Sequence, residues 1–349
     1  MRRGPRSGLF TIVAVHSTVR GPSLGGCRLW AYDDSRAAVR DALRLAEGMT
    51  YKSAVAGLPL GGGKGVIMLP AGEQLDARRR RAALLDFGET VDRLGGTYIT
   101  AEDVGTSTRD MTVIAKATRH VTGLSRRAGG SGDPSPFTAL GVFHAVEATC
   151  ERVFGSPSLR GRSVAVVGLG HVGLRLANLL ARAGAKLVVA DIDRTKRVEA
   201  ERLGARWTTP AKAMVAPVDL LAPCALGGVL DDESVPALQA PAIAGAANNQ
   251  LADESIGPLI RGRGIVWAPD FVVNAGGIIN ISVELGGNGY DPAVARARTR
   301  EIGDTLRRVF DAADGNGTTT LEAAMTLAHE RLRPPAGRPA TPARRRRRG

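Results

Sequence analysis

The sequence predicts an α/β protein with two domains around a cleft, the second built on a doubly wound parallel sheet. Three observations predict this class. Short apolar runs of strand type alternate with stretches whose apolar residues recur at helical spacing. A segment rich in turn-forming residues, 131–136, interrupts the alternation and marks a domain boundary. The chain has 349 residues, which is enough for two domains with a core each.

In the first domain, residues 1–136, we expect strands and helices in alternation. Residues 35–48 show helical spacing, and Ser35 is the predicted N-cap. A glycine-rich stretch precedes the apolar run VIML within residues 57–69, which predicts a loop that leads into a strand. The remaining predicted elements are strands at 9–15 and 98–100 and helices at 76–81, 82–94 and 108–117.

The second domain is predicted to span residues 137–280 and to begin with a helix at 138–154. A strand of buried type follows at 163–167, and strands and helices alternate from there to about residue 272. Residues 281–333 are predicted to form C-terminal helices that pack back across both domains. The tail, residues 334–349, is rich in arginine and proline and is predicted to be disordered.

Composition limits the partners of the chain. The net charge is +13, but part of it lies in the arginine-rich tail, and only 4% of residues are aromatic. Because bases need aromatic side chains to stack on, we predict no specific nucleic-acid binding. The three cysteines are far apart and odd in number, which indicates a reduced cytoplasmic protein without a metal site. No apolar run approaches the roughly 20 residues that span a bilayer, so we predict no membrane association.

A glycine-rich motif lies between the strand at 163–167 and the apolar helical stretch after it. Its first glycine allows a tight turn, its second lets a pyrophosphate approach, and its third lets helix and strand pack closely. Asp191 ends the next predicted strand, where a carboxylate can bind an adenosine ribose; this favours NAD over NADP, although nearby Arg194 weakens the preference. We therefore predict a Rossmann-type NAD-binding domain, with an ordinary βαβ unit as the alternative. The predicted cofactor-binding residues of the motif are Gly168, Leu169, Gly170, His171, Val172 and Gly173.

Two lysines stand out in the segment MTYKSAVAGLPLGGGKG, residues 49–65. Lysine is rare here, because arginine supplies most of the 47 basic residues. An ammonium group can lose its proton when burial lowers its pKa, whereas a guanidinium group keeps its charge. We interpret Lys52 and Lys64 as one site, with a fixed cation for an anionic substrate and a lysine that exchanges a proton. The alternative is two surface lysines near a glycine-rich turn.

Several segments of the chain resemble the amino acid dehydrogenase family, which comprises glutamate, leucine, valine and phenylalanine dehydrogenases. The resemblance is strongest to the bacterial valine and leucine members. The matching segments occur in family order and extend from about residue 9 to 310. They are GPSLGGCRLW (21–30), EGMTYKSAVAGLPLGGGKGVI (47–67), YITAEDVGTS (98–107), GSGDPSPFTALGV (130–142), VVGLGHVG (166–173), APCALGGVLDD (222–232), IAGAANNQL (243–251) and WAPDFVVNAGGIIN (267–280).

The resemblance implies reversible oxidative deamination of an L-amino acid to a 2-oxo acid, ammonia and NADH. In the family, the lysine of GGGK is the catalytic base, here Lys64, and the lysine of MTYK holds the substrate α-carboxylate, here Lys52. The aspartate of AEDVGT completes the proton relay, here Asp103. An alternative role for Asp103 is that of a helix N-cap, since a predicted helix follows it.

The resemblance also implies the contacts of cofactor and substrate. Thr138 is similar to the family threonine that contacts the nicotinamide amide, and Asn248 and Asn249 to the pair that meets the nicotinamide ribose and the substrate amine. Asn274 lies where the chain crosses the cleft again and is assigned to the cofactor, with a tight turn as the alternative. The remaining implied substrate-binding residues are Leu24, Gly25, Gly26, Ile278 and Ile281.

The substrate side chain is predicted from charge. Glutamate members offer a lysine and a hydroxyl group to the distal carboxylate, and the matching positions here hold Leu24 and Ile281. Because an apolar pocket cannot compensate a buried carboxylate, we predict valine, leucine or isoleucine as substrate, with a phenylalanine-type enzyme as an alternative. Cys27 replaces the family's usual threonine and the stretch 283–291 is altered, so a non-catalytic or specialised NAD-binding or arginine-rich interaction protein is a second alternative. We expect a homo-oligomer.

Overall fold

The first half of the chain forms a five-stranded mixed sheet with helices on both faces. The computed structural model describes residues 1–286 and 289–333; the predicted disordered tail and two residues of the altered stretch lie outside these ranges. The elements of this half are β1 (Arg2–Arg3), β2 (Phe10–Ser17), β3 (Ser23–Ala31), α1 (Ser35–Val55), β4 (Gly61–Leu69), α2 (Ala77–Asp92), β5 (Tyr98–Glu102) and α3 (Thr108–Ile114). The strand order is β1-β2-β4-β3-β5, so β4 is central, antiparallel to β2 and parallel to β3.

The prediction of a glycine-rich loop before Lys64 is wrong, because these glycines belong to strand β4 itself. A side chain at Gly62 would clash with the backbone of Thr50 in α1. A side chain at Gly65 would clash with the ring of Phe87 in α2. Since residues 62 and 65 point to opposite faces of a strand, the missing side chains let α1 and α2 pack closely on the two faces of the sheet.

Helix α1 differs from its prediction at both ends. Its N-cap is Asp34 rather than Ser35, because the Asp34 carboxylate accepts the N–H of Ala37 at 2.7 Å. The helix continues to Val55, well beyond the predicted end at residue 48. Lys52 therefore lies on a helix packed against the central strand.

Two further predictions about helices are wrong. The predicted helices at 76–81 and 82–94 form the single helix α2. Asp103 is not an N-cap, because α3 is capped by Ser107, whose side chain forms a capping box with Asp110. The carboxylate of Asp103 is thus available for other contacts.

The second half contains a six-stranded parallel sheet and the C-terminal helices. Its elements are α4 (Ser135–Phe154), β6 (Ser163–Val167), α5 (Gly173–Arg182), β7 (Lys186–Ala190), α6 (Arg197–Arg202), β8 (Arg206–Trp207), α7 (Pro210–Met214), β9 (Leu220–Pro223), α8 (Ser234–Ala237), β10 (Ala242–Ile243), α9 (Ile256–Gly262), β11 (Val266–Trp267), α10 (Asp270–Val273), α11 (Gly276–Glu284), α12 (Pro292–Asn316) and α13 (Thr320–Leu332). The strand order is β11-β10-β9-β6-β7-β8, the doubly wound order of dinucleotide-binding sheets. The predicted fold class is confirmed.

The C-terminal helices contact both halves of the molecule. Helix α12 packs against α4, and α13 packs against α1. Arg331 of α13 donates hydrogen bonds to the backbone carbonyls of Ala54 and Val55 at the end of α1. A continuous apolar core joins α1 to α4 and to the second sheet. Among the helices of the described residues, none combines the length and the apolar character needed to cross a membrane.

Candidate active site

Lys64 lies on the central strand of the first sheet, at the floor of the cleft between the two sheets. Its side chain is only 5% exposed, and its Nζ lies 2.7 Å from Oδ2 of Asp103. Desolvation lowers the pKa of Lys64, and the charge of Asp103 opposes this effect without cancelling it. The neutral amine, which can accept a proton, is therefore easier to form than on an exposed lysine.

Asp103 directly follows strand β5 and is held between two cations. Burial alone would raise its pKa, but the charges and hydrogen bonds of Lys64 and Arg28 lower it below the ordinary value. Arg28 Nε donates to the same Oδ2 atom at 2.9 Å, and Arg28 Nη1 donates to Asp41 at 2.9 Å. Asp103 is thus ionised beside the amine of Lys64.

Lys52 projects from α1 toward the second half of the chain. Its Nζ donates to Oδ1 of Asn248 at 3.2 Å, and Nδ2 of Asn274 donates to the same oxygen at 2.8 Å. Desolvation lowers the pKa of Lys52 to about 8, with the nearby charge of Lys64 acting in the same direction and Asp270 opposing it. The Oδ1 atom of Asn274 is buried and has no partner within the described residues. The two asparagines and the lysine therefore leave one cation and one acceptor for a ligand.

A buried carboxylate supports the turn that carries Asn248. Burial raises the pKa of Asp270, while the charge of Lys52 and backbone N–H groups of Asn249 and Gln250 oppose this rise. Asn249 has φ 51°, the one positive φ of a non-glycine residue in the described ranges. Asp270 thus stabilises an unusual backbone conformation next to the asparagine that contacts Lys52.

The cleft has a volume of about 450 Å³ and an apolar wall on one side. This wall consists of Leu24, Met49, Ala101, Ile278 and Ile281. Strand β3 supplies the first, and helix α11 supplies the two isoleucines. The wall has the character expected of a pocket for an apolar side chain.

The glycine motif after β6 fits a dinucleotide. Side chains at Gly168 and Gly173 would clash with neighbouring protein atoms, whereas a side chain at Gly170 would meet no protein atom within 4 Å. Helix α5 begins at Gly173 without a side-chain cap, and the positive end of its dipole favours an anion at this turn. The turn also lies between the neighbouring strands β6 and β9, where the winding of the sheet reverses. Asp191 accepts the N–H of Leu169 at 2.6 Å and thereby fixes the turn.

The structure brings most of the predicted site residues to one cleft. Those that line it are Leu24, Gly25, Gly26, Lys52, Lys64, Asp103, Thr138, Val172, Asn248, Asn274, Ile278 and Ile281. The others lie outside the cleft wall, in the glycine turn, at the end of β7 and beside Asn248. They are Gly168, Leu169, Gly170, His171, Gly173, Asp191 and Asn249.

Two charged residues of the site are absent from the sequence-based prediction. Arg28 follows the GGC segment of β3 and pairs with Asp103. Asp270 stands at the start of α10 and is buried near Lys52. Arg28 lies in the segment GPSLGGCRLW and Asp270 in WAPDFVVNAGGIIN, two of the segments that carry the family resemblance, but their partners are visible only in the folded chain.

A glycine turn typical of dinucleotide-binding sheets and a buried lysine–aspartate pair border one cleft, an arrangement typical of dehydrogenases. A family model described as "Glu/Leu/Phe/Val dehydrogenase, dimerisation domain" matches residues 2–120, and one described as "Glutamate/Leucine/Phenylalanine/Valine dehydrogenase" matches residues 129–198 and 189–334. The chain belongs to the Glu/Leu/Phe/Val dehydrogenase family. It is an amino acid dehydrogenase, an oxidoreductase that uses a nicotinamide dinucleotide and acts on a small molecule.

Individual relatives agree with this assignment. The chain is 45% identical to leucine dehydrogenase of Geobacillus stearothermophilus, over 93% of this chain and 88% of that one. It is 43% identical to valine dehydrogenase of Streptomyces virginiae, over 93% and 90% of the two chains. The crystal structure of L-tryptophan dehydrogenase from Nostoc punctiforme superimposes with a TM-score of 0.81 at 39% identity and covers 93% of each chain. The resemblance stated from the sequence motifs is confirmed.

Proposed function

We propose that the chain catalyses the reversible, NAD-dependent oxidative deamination of valine, leucine or isoleucine to the 2-oxo acid, ammonia and NADH. The observation that carries this proposal is the buried pair of Lys64 and Asp103, at 2.7 Å, on the floor of a cleft with an apolar wall. The glycine turn reaches the same cleft through Val172.

Lys64 and Asp103 are assigned the proton transfers. The bound cofactor supplies the acceptor for the hydride that leaves the substrate Cα. In its neutral form Lys64 accepts a proton from the water that adds to the resulting iminium carbon. That proton then passes from Lys64 through Asp103 to the amine nitrogen; the C–N bond breaks to release ammonia, and the hydroxyl group returns a proton to Lys64 as it becomes the carbonyl oxygen of the 2-oxo acid. The lowered pKa of Lys64 supports its role as the base.

Lys52 is assigned to the substrate α-carboxylate. Its pKa of about 8 belongs to the site without substrate, where its hydrogen-bond partner is the neutral amide of Asn248. A bound carboxylate adds an opposite charge, which raises the pKa and keeps Lys52 protonated. Lys52 thus orients the substrate, while Lys64 exchanges the proton.

The apolar wall supports a branched-chain substrate. Leu24 and Ile281 offer no cation or hydroxyl group to a second carboxylate, so glutamate would lose its hydration there without compensation. Glycines 25 and 26 let β3 pack closely against the floor of the cleft, since a side chain at Gly25 would clash with the backbone of Gly63 and one at Gly26 would meet Asp103 at 2.6 Å. The names of the leucine and valine dehydrogenase relatives support the same class.

The cofactor is assigned to the residues between the cleft and the glycine turn. Thr138, Asn248 and Asn274 line the cleft at the side of the second sheet, and their amide and hydroxyl groups suit a nicotinamide and its ribose. Asn249 lies beside Asn248 but does not line the cleft, so its implied contact with the substrate amine stays a prediction. Asp191, at the end of β7, supports NAD, because its carboxylate would repel a 2′-phosphate.

A homo-oligomer is part of the proposal. The matching family model describes residues 2–120 as a dimerisation domain. Within these residues the large apolar side chains of Trp30 and Leu43 are more than half exposed and are candidates for a contact between subunits. Sedimentation of the purified chain measures its assembly state, and a monomer at micromolar concentration would contradict this part.

A substrate panel tests the proposal. The purified chain is mixed with NAD or NADP and with valine, leucine, isoleucine, phenylalanine, tryptophan or glutamate, and NADH or NADPH absorbance is followed at alkaline pH. We expect the highest kcat/KM for a branched-chain substrate with NAD. Highest activity with tryptophan or phenylalanine would refute the substrate class, and highest activity with NADP would refute the cofactor. Folded protein that binds NAD but turns over none of the six would refute the enzymatic proposal.

A further inference from the structure

A chain of charged groups runs from Lys64 away from the cleft. Oδ2 of Asp103 forms an ion pair with Lys64 Nζ at 2.7 Å and accepts a hydrogen bond from Arg28 Nε at 2.9 Å. Arg28 Nη1 donates to Oδ2 of Asp41 at 2.9 Å, and the hydroxyl of Tyr32 donates to the same oxygen at 2.7 Å. The guanidinium group of Arg28 is therefore fixed at both ends, between strand β3 and helix α1.

We propose that Arg28 is a positioning residue for the deamination reaction: anchored by Asp41, it holds Asp103 against Lys64 and leaves the second oxygen of Asp103 free for the substrate. The inference rests on the proposed function. Both cations contact Oδ2, and no hydrogen bond within the described residues reaches Oδ1 of Asp103. The Asp103 carboxylate is thus held through Oδ2, while Oδ1 is available to a substrate.

The need for a second cation follows from the reaction cycle. Each time Lys64 gives up its proton, Asp103 loses the ion pair that holds it. Arg28 remains charged at every pH at which the protein is folded, because a guanidinium group does not lose its proton. Arg28 therefore keeps Asp103 ionised and in place during the part of the cycle in which Lys64 is neutral.

Arg28 also acts on the proton of Lys64. The charges that face Lys64 are Asp103 from the end of β5, Arg28 from β3, and Asp41 and Lys52 from α1. The two carboxylates raise the pKa of Lys64, and the two cations lower it. Removal of Arg28 leaves the carboxylates less opposed, so Lys64 then holds its proton to higher pH.

The test compares Arg28→Gln with Arg28→Lys in the full-length enzyme. For Arg28→Gln we expect kcat to fall by about 10- to 100-fold, because the carboxylate is no longer held in its reactive position. The rising limb of the pH profile of kcat/KM for deamination should move to higher pH by on the order of one unit. Arg28→Lys keeps the charge but cannot contact Asp103 and Asp41 in the same forked geometry. It should return the pH profile toward that of the wild type and recover only part of kcat.

Arg80→Gln is a matched control. Arg80 forms a two-point ion pair with Asp110, at 3.0 and 2.8 Å, in the same half of the molecule; neither residue lines the cleft, and Arg80 also donates to the carbonyl of Gly105. Its loss should lower thermal stability without moving the pH profile. A wild-type pH profile for Arg28→Gln, with kcat within about threefold of Arg80→Gln, would overturn the role of Arg28.

Two further measurements distinguish a variant that does not fold, and an inactive wild type, from a wrong role for Arg28. If Arg28→Gln does not fold, Asp41→Asn takes its place: it frees the far end of Arg28 and removes a negative charge near Lys64. We then expect a lower kcat and a pH profile shifted to lower pH, and an unchanged kcat and profile would overturn the proposal. If the wild type turns over no amino acid, the proposed function itself is contradicted. Arg28 then has no reaction to support.

Discussion

Two glycine-rich segments of this molecule use the same residue for opposite reasons. In strand β4, the glycines beside Lys64 are required by the protein itself, because side chains at Gly62 and Gly65 would clash with α1 and α2. In the turn after β6, Gly168 and Gly173 are required in the same way, but a side chain at Gly170 would meet open space. No described protein atom lies within 4 Å of the Cβ position at Gly170, which leaves room for the proposed pyrophosphate at the turn between strand and helix. The glycines of β4 are therefore explained by packing, and Gly170 by the proposed ligand.

Lys64→Ala should have the largest effect, because it should nearly abolish turnover at β4 while leaving NAD binding at the turn after β6 unchanged. We expect kcat for deamination to fall by about 10²- to 10⁴-fold, because the base is lost, while NAD binding at the glycine turn stays intact. Stopped-flow turnover and titration of NAD by calorimetry measure the two effects. Retained turnover would mean that Lys64 is not the base.

Gly62→Ala should damage the fold rather than a ligand site. The new Cβ would overlap the backbone of Thr50, so α1 must move away from β4, and we expect the free energy of unfolding to fall by on the order of 3 kcal/mol. Gly48→Ala is the matched control, since Gly48 lies in α1 and its new Cβ would meet no atom within 4 Å. That change should stabilise the helix by about 0.5–1 kcal/mol. Equal unfolding midpoints of the two variants in urea would contradict the packing argument.

Gly170→Ala should weaken the cofactor and leave the fold alone. The Cβ contacts no protein atom, so the melting temperature should not change. It enters the space assigned to the pyrophosphate, and we expect the Kd of NAD to rise by about 10- to 100-fold. At saturating NAD the pH profile set by Lys64 should be that of the wild type. An unchanged Kd would show that the dinucleotide does not use this turn.

The pH dependence of substrate binding should distinguish Lys52 from Lys64. The pKa of Lys52 in the empty site is about 8, so Lys52 loses its charge above that pH. We expect the Kd of a branched-chain 2-oxo acid, measured without cofactor, to rise roughly tenfold between pH 7 and pH 9. Lys52→Arg keeps a permanent charge and should remove this rise. The same rise in both proteins would assign the titration to another group.

The two glycine-rich segments also show which local structures the sequence predicts correctly and which it does not. The turn after β6 and its flanking strands are predicted correctly, because strand, glycines and helix follow each other within one short stretch. The glycines of β4 are predicted wrongly as a loop, because their partners Thr50, Phe87 and Tyr98 are distant in sequence. Local composition alone therefore predicts a turn at these glycines.

The site residues show the same limit. Lys52, Lys64 and Asp103 stand in recognisable motifs, and the fold brings them to one cleft. The links between them are not visible in the sequence. Arg28 contacts Asp103 across 75 positions of the chain, and Asp270 supports the turn of Asn249 from the start of another helix. Such contacts depend on sheet order and helix packing, which single-sequence patterns do not specify.

The position of Lys64 in the central strand has a consequence for the timescale of motion at the site. Its backbone is paired with Ala14 on one side, and β3 covers the other edge of the strand. The amide protons of such a strand exchange with deuterated solvent only when a large part of the sheet opens, whereas loop amides exchange through small fluctuations. We therefore expect the amide of Lys64 to be among the slowest-exchanging of the chain, so that the amine proposed as the base is carried by a strand that opens only with the sheet.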